Sequence, residues 1–220
     1  MDIITSSEFN DICNNINTII VKFGRINQPK VFEKDGKTII KLFYPKQKWL
    51  SSDRLNPRAL RFYKNIQSLH QQGYDVPRII KIQYCSDLKI YLVYYDKIEG
   101  DDVRKLVNQG ALDLLHSVAE LVAGLHQNGI FFRSIHLENL LYKPDGTFAL
   151  LDITDVRFKS RPLTLHLRYR NLKHLLLERN DKEIWQKFGV DNFLAAYFRH
   201  VTLPPASRER LSRMIYRAIK

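Results

Sequence analysis

Residues 131–142, "FFRSIHLENLLY", read as a short apolar strand interrupted by Arg133, Ser134, His136, Glu138 and Asn139. A polar group withdrawn from water costs stability unless it finds a hydrogen-bond partner. A stretch this rich in them marks a loop with a use for polar side chains. Upstream, Ala111, Leu115, Val118, Val122 and Leu125 recur at spacings of four and three, and Leu114 and Leu121 widen the stripe. This pattern over 111–128 predicts a core helix that stops at Asn128-Gly129 and delivers the chain into the polar stretch. Downstream, "KPDG" predicts a tight turn and "TFALLDITD" a returning strand, so the loop is followed by a hairpin ending in Asp152.

The first third reads as sheet. "KVFEKDGKTIIKLFY" holds two β-rich runs around Asp35-Gly36, a dipeptide suited to a hairpin because both residues tolerate positive φ. Lys41 lies inside the second run. "NPRALRFYKNIQSLHQQG" then changes to helical spacing, with Ala59, Phe62, Ile66 and Leu69 on one face and Gly73 as the stop. "IIKIQYCSDLKIYLVYYDKI" predicts two more strands about a turn at Ser86-Asp87. The character changes near Glu99 to Asp101, which predicts a sheet lobe with one helix over 1–98 and a mostly helical lobe over 99–220. No internal repeat and no Gly-, Ser- or Pro-rich linker occurs.

A length of 220 residues suits one domain or two small lobes. Hydrophobic residues at 45% and charged residues at 26% are those of an ordinary folded protein. Cys13 and Cys85 are too few for a disulfide framework, which predicts a reducing, cytoplasmic setting. "MDIITSSEFNDICNN" lacks the basic start and apolar core of a secretory signal, and runs such as "YLVYY" fall far short of the roughly 20 residues that span a bilayer. The formal net charge of +12 predicts a polyanionic partner: nucleic acid, an anionic membrane surface or a phosphorylated substrate.

Taken in order, a sheet with a strand lysine, a helix, a buried helix, a polar loop ending in Asn139 and a hairpin ending in Asp152 resemble a protein-kinase-like fold. Within it, the chain resembles the bacterial lipopolysaccharide-core sugar (heptose and Kdo) kinases and their toluene-tolerance relatives. "LHQNGIFFRSIHLENLLY" lies over the catalytic-loop signature H-R-D-L-x-x-x-N, and "LLDITD" over the segment carrying D-F-G. The resemblance covers about Lys30 to Lys173. It implies an α+β, bilobal fold with a small antiparallel sheet lobe, and an ATP-dependent phosphotransferase that uses Mg. Lys41 would pair with the nucleotide phosphates, and Asn139 and Asp152 would bind nucleotide through the metal ion, as oxygen ligands suited to magnesium.

Each residue also has a plainer reading. A lone strand lysine is most often solvent-facing, Asn139 could brace its loop, and Asp152 could be an ordinary strand-end acid. His126 reads as a packed, hydrogen-bonded core histidine.

The sequence departs from the kinase pattern in three places. Phe132 replaces the signature's histidine, Arg133 matches its arginine, and Ser134 replaces the aspartate that accepts the substrate proton. A hydroxyl without a neighbouring base cannot take over that role at neutral pH, which leaves His136 and Asp155 as candidate catalytic groups. No G-x-G-x-x-G occurs in the first strands, only Gly24 and Gly36, and the helix after the hairpin contains no acid to pair with Lys41. These departures favour an alternative, a pseudokinase that binds a nucleotide or partner without turnover.

From Val156 to Leu177 the chain carries Arg157, Lys159, Arg161, Arg168, Arg170 and Lys173 with no acid. Such a run is commonly a solvated face. As a functional feature it would receive an anionic glycolipid or phosphorylated sugar acceptor, with Arg168 and Arg170 binding it. The basic, amphipathic "SRERLSRMIYRAIK" would allow peripheral contact with the inner membrane. Nucleic acid is suggested by net charge alone, since no recognised motif or aromatic platform accompanies it.

Overall fold

A computed structural model describes residues 1–14, 18–23, 29–45 and 56–219. Gly24, weighed above as part of a phosphate-covering loop, lies outside the described residues. The chain divides into two compact units, Met1–Glu99 and Gly100–Lys220.

The first unit is built on a six-stranded sheet of β1 (Asp2–Ile4), β2 (Thr18–Phe23), β3 (Pro29–Lys34), β4 (Thr38–Phe43), β5 (Ile79–Cys85) and β6 (Ile90–Asp96), in the order β1-β5-β6-β4-β3-β2. All pairings are antiparallel except β1 with β5. The β3–β4 turn forms as the sequence predicts, with Asp35 and Gly36 at φ 55° and 67°. Side chains alternate across a strand, and the two faces of this sheet are covered differently. Ile40, Leu42, Leu92 and Tyr94 pack with Ile4 and with Phe9 of α1 (Ser6–Cys13). On the other face, Phe62 of α2 (Arg58–Gln71) makes ring contacts with Phe43 and Tyr95. α2 buries Ala59, Phe62, Ile66 and Leu69, the four residues of the predicted stripe.

Sequence reading placed one helix in this unit, and α1 is a second. Its eight residues are too short for periodicity to announce them. A capping box secures its start: Glu8 N–H donates to Thr5 Oγ1, while Thr5 N–H donates to the Glu8 carboxylate.

In the second unit, α3 (Val103–Asn108) follows the two-residue β7 (Asp101–Asp102), and α4 (Leu114–Gln127) leads into β8 (Ile130–Phe132). α4 begins at Leu114, and Ala111 is exposed, because backbone bonds of Ala111 and Leu112 close the end of α3 instead. Leu115, Val118, Val122 and Leu125 are fully buried, each contributing about 1.5–3 kcal/mol by leaving water. Gly129 has φ 71°, and a Cβ there would lie 2.4 Å from Lys159 O and 2.7 Å from Arg161 O. Only glycine lets the chain turn there from helix into β8, which pairs with β11 (Val156–Phe158). β9 (Leu140–Tyr142) and β10 (Phe148–Leu150) form the hairpin after the loop, with β7 beside β9. Helices α5 (Leu165–Leu176), α6 (Lys182–Phe188), α7 (Val190–Arg199) and α8 (Pro205–Ile219) complete the unit. Among the described residues no helix is long and apolar enough to cross a membrane.

Candidate functional site

Antiparallel pairing sets the geometry of the polar loop. Leu140 lies opposite Leu150 in the β9–β10 hairpin, and Leu151 N–H donates to Asn139 O at 2.8 Å one position further on. Asn139 and Asp152, thirteen residues apart in sequence, are thereby neighbours at the open end of the hairpin. Asn139 ends a 3₁₀ turn, Leu137–Asn139, and is 4% exposed. Its amide nitrogen donates to Ser134 O at 2.9 Å and approaches His136 Nε2 at 3.0 Å. Two acceptors on the nitrogen fix the amide, so Oδ1 is the atom it has for a ligand. Asp152, partly exposed, sits in left-handed backbone at φ 49°, a region few non-glycine residues occupy, Asp and Asn being enriched among those that do. An amide oxygen and a carboxylate are the ligand types that suit a hard cation which takes oxygen ligands and keeps several waters.

Neither Ser134 nor His136 is placed as a base. Ser134 Oγ donates to Asp152 O at 3.2 Å, so its proton is committed to the neighbouring backbone. The His136 Nε2 lone pair receives the Asn139 N–H, and its Nδ1 is buried with no hydrogen-bond partner among the described residues. Burial holds the His136 pKa below the usual histidine range, so the ring is neutral near pH 7. The ring nonetheless has no lone pair directed at an acceptor, which corrects the expectation that His136 could accept the substrate proton. Arg133 and Asp155 are both exposed, Asp155 at the end of a 3₁₀ turn, Ile153–Asp155.

In the first unit, Lys41 is 5% exposed, which excludes a solvent-facing lysine. Its Nζ lies 4.7 Å from the centroid of the Phe62 ring and 5.6 Å from that of Phe43, within cation–π range. An aromatic ring of α2 thus meets the ammonium on a helix that has no carboxylate to offer.

Two groups of residues that sequence reasoning missed support the loop. Arg104 of α3 donates to Asp181 at 2.5 Å and to Glu138 at 2.9 Å, while the fully buried Asp181 also accepts from Leu137 N–H at 3.3 Å. Sequence separation hides this clamp, because no local pattern links positions 104, 138 and 181. The second group surrounds His126. Asn171 Nδ2 donates to Phe132 O at 2.7 Å, which turns Asn171 Oδ1 toward His126 Nε2 at 3.0 Å. His126 therefore carries its proton on Nε2 and accepts at Nδ1 from the Tyr197 hydroxyl, 2.8 Å away. The ring is fully buried, and burial pushes its pKa down to about 3. His126 is the packed, hydrogen-bonded histidine that its place in the helix suggests.

Arg168 belongs to this same group, which corrects its assignment to an acceptor surface. It is 1% exposed and donates to Leu163 O at 2.8 Å, Tyr197 OH at 2.8 Å and Gln127 Oε1 at 2.6 Å. A guanidinium enclosed and bonded in this way cannot meet an anion from outside. Arg170 is exposed, its guanidinium 5.6 Å from the Phe131 ring centroid, and Arg157, Lys159, Arg161 and Lys173 are also exposed.

The architecture is α+β. No protein-family model matches the chain, and no curated protein matches its sequence. Among solved structures it is similar to monomeric WbdD, at 16% identity and a TM-score of 0.49, over 86% of this chain and 44% of that one. It is similar to the bifunctional kinase-methyltransferase WbdD at 13% identity and a TM-score of 0.48, over 84% of this chain and 47% of that one. A third similar structure is a divergent kinase that lacks the glycine-rich loop and regulates membrane ultrastructure of the Toxoplasma parasitophorous vacuole. There the identity is 16% and the TM-score 0.45, over 81% of this chain and 67% of that one. The chain spans less than half the length of the WbdD chains it matches.

Proposed function

We propose that the protein is an ATP-dependent phosphotransferase that uses magnesium and phosphorylates a sugar hydroxyl of the lipopolysaccharide core at the cytoplasmic membrane face. The observation that supports the reading is the hairpin register, which with the 2.8 Å bond from Leu151 N–H to Asn139 O brings the backbone of Asn139 near that of Asp152. Asn139 and Asp152 would hold magnesium, which when bound neutralises charge on the nucleotide phosphates. Lys41, a buried ammonium that packs on the Phe62 ring, would supply a cation for nucleotide phosphates. The exposed Arg157, Lys159, Arg161, Arg170 and Lys173 supply the charge that an anionic acceptor requires. The choice of acceptor rests on the motif resemblance. Asp155 remains as the carboxylate to receive the hydroxyl proton, and a loose transition state asks little of that base.

A second reading, a pseudokinase that binds nucleotide without turnover, is favoured by the commitment of Ser134 Oγ to Asp152 O and of His136 Nε2 to Asn139. Nucleotide binding with and without magnesium, followed by phosphate transfer to purified core oligosaccharide, separates the readings. Transfer by the parent, raised in Ser134→Asp by up to the roughly 100- to 10,000-fold that a positioned base supplies, supports the enzyme. Magnesium-dependent binding with no transfer by either protein supports the pseudokinase. Absence of nucleotide binding by the folded parent removes both.

A further inference from the structure

The sheet of the first unit has a second face, turned away from Lys41 by strand alternation and covered by α1. A cleft of about 380 Å³ opens on this side, with Asp11 of α1, Lys34 and Asp35 of the β3–β4 hairpin, and Lys81, Gln83 and Tyr94 of β5 and β6 in its lining. That volume is at the small end of pockets that hold metabolites.

Two of the lining side chains are polar, buried and unsatisfied. Gln83 is 9% exposed and Tyr94 4%, yet neither Gln83 Oε1 nor Tyr94 OH has a hydrogen-bond partner among the described residues. Such atoms are rare in native folds, because each loses its water without compensation. Lys81 pairs with Tyr94 and Gln83 with Leu92, so Gln83 and Tyr94 are diagonal neighbours on one face. Burial pushes the Tyr94 hydroxyl up to about 12, which keeps its proton in place as a donor. Two residues of the cleft lining thus hold one acceptor and one donor that have no partner among the described residues.

Charge in the lining is balanced. Asp11 and Asp35 supply two carboxylates, Lys34 and Lys81 two ammonium groups, and no ion pair among the described residues joins them. Lys81 Nζ lies 4.5 Å from the Tyr94 ring centroid, which puts a cation against the residue that carries the hydroxyl. A phosphate or simple anion would face the two carboxylates, and a simple cation would face the two lysines. A molecule carrying both signs satisfies both sets of groups.

We infer that this cleft binds a small zwitterion of amino-acid size, its carboxylate taken by the Tyr94 hydroxyl with Lys81 and its ammonium by Gln83 Oε1 with Asp11. The site is separate from the residues assigned to nucleotide and magnesium, and it stands whether or not that assignment does.

The test uses the full chain and the twenty standard amino acids, each at about 10 mM, with the unfolding temperature as first readout, since a ligand of the native state raises it by mass action. The expected result is a saturable rise with one or a few of them, followed by a dissociation constant from calorimetry. Asp11→Asn and Lys81→Gln, both at exposed positions, should each weaken that constant by about tenfold, as loss of a charge-assisted hydrogen bond does. Tyr94→Phe should weaken it similarly; if that variant does not fold, the two exposed variants decide. Asp152→Ala should leave the constant unchanged. No rise with any amino acid overturns the inference, as does a rise that Asp11→Asn and Lys81→Gln both leave intact.

Discussion

The second unit contains two polar clusters, and they are built on opposite terms. Around His126, Arg168, Asn171 and Tyr197, the side chains are enclosed and a consistent chain of donors and acceptors joins them, ending on Leu163 O, Phe132 O and Gln127. Around Ser134, His136, Asn139 and Asp152, a histidine nitrogen is buried without a partner among the described residues, a non-glycine residue holds left-handed backbone, and that residue, Asp152, is partly exposed. The first arrangement suits a brace. Phe132 O, which it grips, immediately precedes the loop that contains the second. Local rules broken in one place and kept beside it are the pattern of a scaffold supporting a site.

The contrast is broken most directly at Arg168. Arg168→Ala should destabilise the protein by about 3 kcal/mol or more, because it opens a cavity and leaves three acceptors short of a donor. Arg170→Ala, two residues along α5 and exposed, should stay within about 0.5 kcal/mol. Urea denaturation of both proteins is the measurement, and equal stabilities would dissolve the distinction.

Acid provides the next largest effect. His126 has a folded pKa of about 3 against an ordinary value of 6.5. The unfolded chain binds the proton first, so this contribution is whole above pH 6.5. It is lost at up to about 1.4 kcal/mol per pH unit as pH falls toward 3. His136 shifts in the same direction. His126→Gln should remove most of the histidine slope between pH 6.5 and 4.5, carboxylate effects cancelling in the difference. Parallel stability curves for the two proteins would contradict the buried, neutral assignment.

In the second cluster the expected loss is of binding. Asp152→Ala should unfold within about 1 kcal/mol of the parent while nucleotide affinity ceases to depend on magnesium, a fall of about tenfold or more at saturating metal. Retained magnesium dependence in a folded variant would take Asp152 out of the metal site. The smallest effect belongs to the exposed face. Arg170→Ala should weaken binding to anionic glycolipid vesicles severalfold at low salt and little at physiological salt, where screening acts within about 8 Å. Salt-insensitive binding would remove the electrostatic basis of the acceptor surface.

Much of this was legible in the chain. The four apolar residues of α2, the Asp35-Gly36 turn and the hairpin ending at Asp152 each follow from spacing or turn chemistry, which operate over a few residues. α1 was not legible, since eight residues give periodicity too little length. The start of α4 was misplaced by three residues, because Ala111 continued the stripe while its N–H had another use.

Sequence by itself determined the order of elements and drew attention to Lys41, Ser134, His136, Asn139 and Asp152, because polar residues inside apolar runs stand out without any knowledge of neighbours. It could not assign their partners. Arg168 and Arg170 are alike in a charge count, and only the rotation of α5 against α4 and α7 puts one in the core and the other in solvent. The same holds for His136, whose ring nitrogens were spoken for by an amide three residues away and by burial. Hydrogen-bond partners are chosen in three dimensions, so the chemistry available to a polar side chain was decided by the tertiary structure.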